Sequence, residues 1–296
     1  RDNDFQKNLV RSITTQVGKP FEDKMVRKFM IARANSLCRG FSGIKEKNLK
    51  IYLDMINNHV FPVVPRKGSL GTSGDLGPLG CIASVAFGEW KAKHNGKVMP
   101  GKEAMASAGV ELMYLNAKEG LSLINGTSGM VGLACTVISE ATNTLKNSDI
   151  IAAFAIETLM GRFNPFDPIV HEQKYHPGQY ATAMNLTKLL KGSKMAIDEL
   201  ELSIKLQSTL KEHKGVSVAH IPVEDAYSIR CTPQFVGPTK DSLKNAHDVL
   251  LRELNSSNDN PLIFTELDTF FHNGHFHGQP ISFAMDCLGI SMVNVG

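Results

Sequence analysis

Apolar residues recur at helical spacing along most of the chain, with few stretches of strict alternation. Phe5-Gln6-Lys7-Asn8-Leu9-Val10 opens a helix predicted to end near Gly18-Lys19-Pro20. A second helix is predicted over residues 21–38, halted by Arg39-Gly40, with Met25, Phe29, Ile31 and Ala32 as its buried stripe. A third, over 45–57, leads into Phe61-Pro62-Val63-Val64-Pro65, whose prolines impose extended backbone. Asp75 starts a helix predicted to run through Phe87. Helical spacing resumes after Lys118-Glu119-Gly120-Leu121-Ser122-Leu123-Ile124-Asn125-Gly126-Thr127 and continues to about Met160. Asn164-Pro165-Phe166-Asp167-Pro168 and Tyr175-His176-Pro177-Gly178 read as turns. Further helices are predicted over 180–190, 196–212, 240–254 and from 278 onward. Strand signals are sparse and there is no internal repeat, so the expected class is mostly α.

Composition narrows the picture without redirecting it. The 296 residues are 42% apolar and 21% charged, enough to bury a sizeable core in one large domain or two. A net charge of +3 with no basic run gives no reason to expect nucleic acid or an anionic membrane. Cys38, Cys81, Cys135, Cys231 and Cys287 are isolated and odd in number, which favours a reducing compartment over a disulfide framework or zinc site. No apolar run is long enough to span a bilayer and no signal peptide opens the chain, so a cytoplasmic location is expected. The chain begins at Arg1 and stops at Gly296 inside an apolar run. That suggests a fragment of a longer protein.

Candidate chemistry concentrates in Gly68-Ser69-Leu70-Gly71-Thr72-Ser73-Gly74-Asp75-Leu76-Gly77-Pro78-Leu79-Gly80, where glycine falls at every third position. Such density permits backbone conformations closed to other residues and close approach of peptide groups. In a sufficiently compressed turn, the Gly74 nitrogen could attack the Thr72 carbonyl carbon and close a five-membered ring. Loss of that water and of the Ser73 hydroxyl would leave an exocyclic methylene. A phosphate-cradling role is disfavoured, because neither G-x-x-x-x-G-K-[ST] nor G-x-G-x-x-G between strand and helix occurs. A plain structural turn is the ordinary reading of Thr-Ser-Gly alone.

A second motif, Tyr227-Ser228-Ile229-Arg230-Cys231-Thr232-Pro233-Gln234, puts a phenol and a guanidinium three apart, on one face if helical. The arginine fork suits a carboxylate. By itself such a pair is commonly packing or surface. Asn125 could simply cap a helix, and Asn260, in Asn255-Ser256-Ser257-Asn258-Asp259-Asn260-Pro261-Leu262, could be a polar turn. His272, His275 and His277 lie close in sequence, but no acidic partner or cysteine pair stands at ligand spacing, so no metal is expected.

Taken in order along the chain, these motifs resemble the aromatic amino acid ammonia-lyases and 2,3-aminomutases over essentially all 296 residues. The resemblance implies long helices in a central helical bundle, a fumarase/histidine ammonia-lyase-like fold truncated at both ends, and residues 1–296 as one incomplete lyase domain. It also implies a 4-methylidene-imidazol-5-one made from Thr72-Ser73-Gly74, with no metal or nucleotide. Arg230 would bind the substrate carboxylate with help from Asn260, and Tyr227 would lie against the prosthetic ring. Asn125 would hydrogen-bond to ring or substrate, and Phe276 would pack near the ring. The histidine-specific branch has His at the position of Ile13, and tyrosine-specific lyases have His at the position of Ser12; here both residues lack an imidazole, which favours a phenyl ring. Glu224 stands where many lyases have Gln, and with Thr72 it looks most like the bacterial phenylalanine 2,3-aminomutases.

The implied reaction removes ammonia from a phenylalanine-like amino acid to give an arylacrylate; an aminomutase would return the amine to the β-carbon. The family's base, a lid tyrosine, lies upstream of the stretch matching Arg1. A homotetramer is implied as well. The alternatives are an inactive helical scaffold and a nucleotide- or metal-binding protein. The related fumarase-like lyases need a Ser-Ser-x-Met-Pro-x-Lys loop, which is not found here.

Overall fold

The computed structural model describes residues 2–209 and 224–296. Helices dominate, as the spacing predicts, and the chain divides into two units. The first comprises Arg1–Val137 with His247–Met285, the second Ile138–Ala246 with Asp286–Gly296.

In the first unit, α1 (Asp2–Ile13), α2 (Asp23–Leu37), α3 (Glu46–Asn57), α4 (Leu76–Ala86), α5 (Gly101–Ser107) and α6 (Glu119–Ile124) enclose one core. Its largest members are Phe29, Met30, Leu37, Tyr52, Met55, Leu79, Ile82, Met105, Leu115 and Leu123. Helix α4 is buried at every position from Gly77 to Ala86, which explains a sequence that is apolar or small all round. A Cβ on Gly120 would come within 2.8 Å of the Gln6 backbone oxygen, so glycine is what lets α6 lie against α1.

Among the described residues the strands form three small antiparallel sheets. Strands β1 (Val17–Pro20) and β3 (Pro65–Lys67) pair, β2 (Phe61–Pro62) pairs with β4 (Lys91–His94), and β4 pairs with β5 (Lys97–Pro100). Strands β6 (Leu262–Phe264) and β7 (Thr269–Phe271) form the third.

Of the predicted stripe on α2, Phe29 and Ala32 are buried and Met25 packs against the core, but Ile31 is about half exposed; Val26, Met30, Arg33 and Leu37 are buried with them. The true stripe runs through a charged residue, because polar partners await Arg33 inside the core. The first helix also ends earlier than predicted, at Ile13, and the Gly18-Lys19-Pro20 stretch is strand β1.

The second unit takes most of α7 (Ser128–Thr158), then α8 (Pro168–Glu172), α9 (Pro177–Leu190), α10 (Glu199–Thr209), α11 (Tyr227–Arg230) and the first part of α12 (Thr232–Leu254). The predicted helix over 196–212 is seen to Thr209; its remainder lies outside the described residues. Ala153, Ile156, Phe166, Leu186 and Leu190 make this unit's core. Helix α12 starts eight residues before the predicted 240 and contains Pro238. A Cβ on Gly178 would sit 2.1 Å from the Gly237 oxygen, and the Gly178 N–H donates to Asp241 Oδ1 at 2.8 Å. Close packing of α9 on α12 thus outweighs the local preference against proline. Helix α13 (Gln279–Met292) ends the fold, and α7, α12 and α13 each supply residues to both units.

Candidate active site

Strand β3 delivers the chain to the glycine-rich turn and α4 takes it away. Gly68, Gly71 and Gly74 all have positive φ, at 138°, 72° and 72°. The turn folds back on itself: Gly71 and Thr72 both make bridge pairings with Gly74, and Gly74 pairs in turn with Gly126. Thr72 and Ser73 are exposed while Gly74 is buried. A Cβ on Gly74 would lie 2.3 Å from the Gly126 oxygen and 2.6 Å from its carbonyl carbon, so only glycine fits. For the ring closure expected of Thr72-Ser73-Gly74, the relevant features are a Gly74 nitrogen that no Cβ shields and an exposed Ser73.

Two helix N-termini converge on this turn. Helix α4 follows it directly, and α7 begins just after Gly126-Thr127. The Asp75 N–H donates to the Gly126 oxygen at 2.7 Å, and Asp75 Oδ2 accepts from the Met130 N–H at 2.7 Å. Asp75 thereby staples the first turn of α7 to the start of α4. Burial pushes its carboxyl up to about 6, although the Met130 and Gly129 N–H groups and the Ser69 hydroxyl pull it down. The partial positive charge of both helix ends is directed at the turn.

Asn125 is the C-cap of α6, not the N-cap of α7. Its Nδ2 donates to Asp259 Oδ1 at 3.1 Å and to the Asn260 carbonyl at 3.2 Å. Asn260 Oδ1 accepts from the Asn273 N–H at 2.7 Å, and the Asn260–Pro261 peptide is cis. The Gly278 N–H donates to the Gly71 oxygen at 3.2 Å, tying the stretch that carries half-buried Phe276 to the glycine-rich turn. Thr127 donates its hydroxyl proton to Glu253 of α12, whose carboxyl is raised by burial.

Ile13 is half-buried against the first unit's core, 3.5 Å from where a Cβ on Gly80 would stand. Ser12 is exposed and spends its hydroxyl on the Leu9 carbonyl. His272 packs edge-on against Phe270, with ring centroids 5.6 Å apart.

The tyrosine–arginine motif belongs to the second unit. Tyr227 and Arg230 form the two ends of α11, and the guanidinium carbon lies 4.5 Å from the phenol ring centroid. Arg230 Nη2 pairs with Glu224 Oε2 at 2.7 Å, while its Nε is buried with no hydrogen-bond partner among the described residues. The neighbouring Asp225 holds Arg162 at 3.1 Å.

The whole chain, residues 1–296, matches the model of the aromatic amino acid lyase family. The protein belongs to that family. It is 41% identical over 291 residues to a histidine ammonia-lyase of Alkaliphilus oremlandii, covering 98% of this chain and 54% of the relative. It is 39% identical to the MIO-dependent tyrosine 2,3-aminomutase of Streptomyces globisporus, over the whole of this chain and 55% of that one. Among solved structures, the phenylalanine aminomutase of Pantoea agglomerans superimposes with a TM-score of 0.93 at 44% identity, covering 99% of this chain and 56% of that one. The mostly helical lyase fold is therefore shared, and the chain spans about half the length of the curated relatives it matches.

Sequence reasoning passed over the polar framework behind this site. Arg33, Lys118 and Asp259 form a buried cluster, with Lys118 Nζ at 2.7 Å from Asp259 Oδ2 and Arg33 Nη2 at 4.0 Å. Arg33 also donates from Nε to the Ser122 carbonyl at 2.9 Å and from Nη1 to Asn258 Oδ1 at 3.2 Å. The available signal was an arginine four residues after Phe29 and four before Leu37, in register with the buried stripe.

Proposed function

We propose that this protein removes ammonia from an aromatic L-α-amino acid of the phenylalanine type, giving an arylacrylate. The observation that carries the reading is the Thr72-Ser73-Gly74 turn, folded back on itself at a glycine that Gly126 leaves no room to replace. A methylidene-imidazolone built from these residues supplies an electrophile that makes the substrate amine a better leaving group. The chain's own contribution is to compress that turn, to aim two helix N-termini at it and to hold substrate beside it.

Arg230 would take the substrate carboxylate in place of Glu224, using a fork whose Nε is unpartnered. In the first unit, Asn260 is read as a further donor to a substrate carboxylate: its amide oxygen is committed to Asn273, which leaves the NH2 group to donate. Tyr227, 74% exposed, stacks beneath the guanidinium and leaves its phenol free beside it. Phe276 is read as packing near the prosthetic ring, and Ser12 and Ile13 as part of the aryl-binding surroundings, where neither offers an imidazole. That favours phenylalanine over histidine, even though several relatives are histidine ammonia-lyases.

A 2,3-aminomutase is the second reading, favoured by Glu224 beside Arg230 and by the likeness to a phenylalanine aminomutase. The product distinguishes the two, arylacrylate with free ammonia or the β-amino acid. Self-association into a homotetramer is also proposed, supported by Ile150, Ile151 and Phe154 exposed on α7.

The test is the mass of the peptide spanning residues 67–91. A deficit of two waters, abolished by Ser73→Ala together with turnover of phenylalanine, is the expected result. An unmodified mass in the full-length protein would overturn the proposal. Turnover of histidine in preference to phenylalanine would overturn the choice of substrate.

A further inference from the structure

Two asparagine amides of the first unit are fixed with opposite polarity. Asn260 gives its oxygen to the Asn273 N–H, so the end it has left is a donor. Asn125 faces two acceptors, Asp259 Oδ1 and the Asn260 carbonyl, and neither can donate to it. Both amide hydrogens of Asn125 are therefore committed, and the end it has left is its carbonyl oxygen, an acceptor. Asn125 is only 5% exposed, so reversing the amide would set its oxygen against two acceptor oxygens, one of them on the fully buried Asp259, at a side chain largely closed to solvent.

We propose that Asp259 is the positioning residue that imposes this polarity, making Asn125 an acceptor that selects substrates carrying an amine. The inference rests on the reading of the site as one for an amino acid. Asp259 is itself fully buried and over-determined. Its Oδ1 accepts from Asn125 and from the Asn260 N–H at 2.7 Å, while its Oδ2 accepts from Lys118 at 2.7 Å near Arg33. Both of its oxygens thus face donors, and an aspartate carboxylate in that setting has no hydrogen to offer Asn125. A neutral amide at 259 could present either end, and the orientation of Asn125 would no longer be dictated. The pair of asparagines then matches a zwitterion: a donor for the carboxylate at Asn260, an acceptor for the amine at Asn125.

The experiment compares L-phenylalanine with 3-phenylpropanoate, which keeps the ring and carboxylate but lacks the amine. In the full-length protein, Asp259→Asn is expected to weaken L-phenylalanine about tenfold or more while leaving 3-phenylpropanoate within about twofold. Asp259→Glu, which retains the carboxylate, should recover most of the preference. Equal weakening of both ligands, or no change in either, would overturn the inference, because a merely structural role does not distinguish them. Neutron diffraction of the wild-type protein gives an answer that needs no substrate. Deuterium on the Asn125 nitrogen directed at Asp259 and the Asn260 carbonyl supports the assignment, and the reversed amide refutes it. Should the wild type bind neither compound, the reading of the site fails, while the neutron result still decides how Asp259 orients Asn125.

Discussion

Asp75 sits where the reactive turn meets two helices, and its carboxyl is buried with only part of that cost recovered by hydrogen bonds. Its ordinary value is 3.8 and burial raises it to about 6 in the folded protein, so the folded state holds a proton more tightly than the unfolded chain. That contribution to stability is complete below about 3.8 and is lost as the pH rises through about 6. Asp75→Asn keeps an acceptor for the Met130 N–H and removes the titration. The stability of the wild type relative to this variant should therefore fall between about pH 4 and pH 6, by on the order of 3 kcal/mol, and stay level above. Denaturant titrations of both proteins across that range make the check. The residues of the site were legible unequally. Thr72, Ser73, Gly74, Asn125, Arg230 and Asn260 are candidates because they stand in short motifs that resemble the family's; read locally, Asn125 is a helix cap and Asn260 a turn residue. Asp259 stands beside Asn260 in one of those motifs, yet its role depends on Lys118 and Arg33, far away in the chain, and spacing carries no trace of that.

At the scale of elements, α2 is held to α6 and to the 258–259 segment by a side chain that is wholly buried and charged. Arg33 donates to the Ser122 carbonyl and to Asn258, and it faces Asp259. Replacing it with methionine keeps the bulk but leaves Asp259 with Lys118 alone and the Ser122 oxygen unpaired. Arg33→Met should cost about 3–5 kcal/mol, the penalty of breaking a buried charge network, as read by chemical denaturation. Paired replacement of Arg33 and Asp259 by apolar residues should cost less than the two single changes summed. The helices were readable because an apolar period of 3.6 persists over ten or more residues. The strands were not: β1 and β5 are four residues each, lysine-bearing and largely exposed, and β4, of the same length, buries only Ala92 and His94 on its inner face, too little apolar alternation to read. Pairing through the backbone, which the sequence does not display, is what makes them strands. Pro238 misled in the opposite direction, since the close approach of Gly178 and Gly237 is a tertiary matter.

For the whole molecule, the two units share three helices, and α7 alone runs through 31 residues. A helix common to two cores cannot lose its hydrogen bonds in one without fraying toward the other. We therefore expect residues 1–296 to behave as part of one cooperative domain. Fluorescence of Trp90, in the first unit, and a probe attached to the second should report coincident unfolding midpoints. Separate midpoints would divide the domain. Among the described residues no helix is long and apolar enough to cross a membrane.

The contact of Gly74 with Gly126 carries one more implication. The turn is pressed into shape by a backbone that the ribosome makes much later and that must dock before the two α-carbons can meet. Under the proposed function, the nascent chain is chemically inert, and its reactive centre matures only when the Gly126 backbone has docked against Gly74. The delay between folding and maturation would then act as a built-in quality control: a chain that misassembles never arms itself, and the cell is spared a stray electrophile.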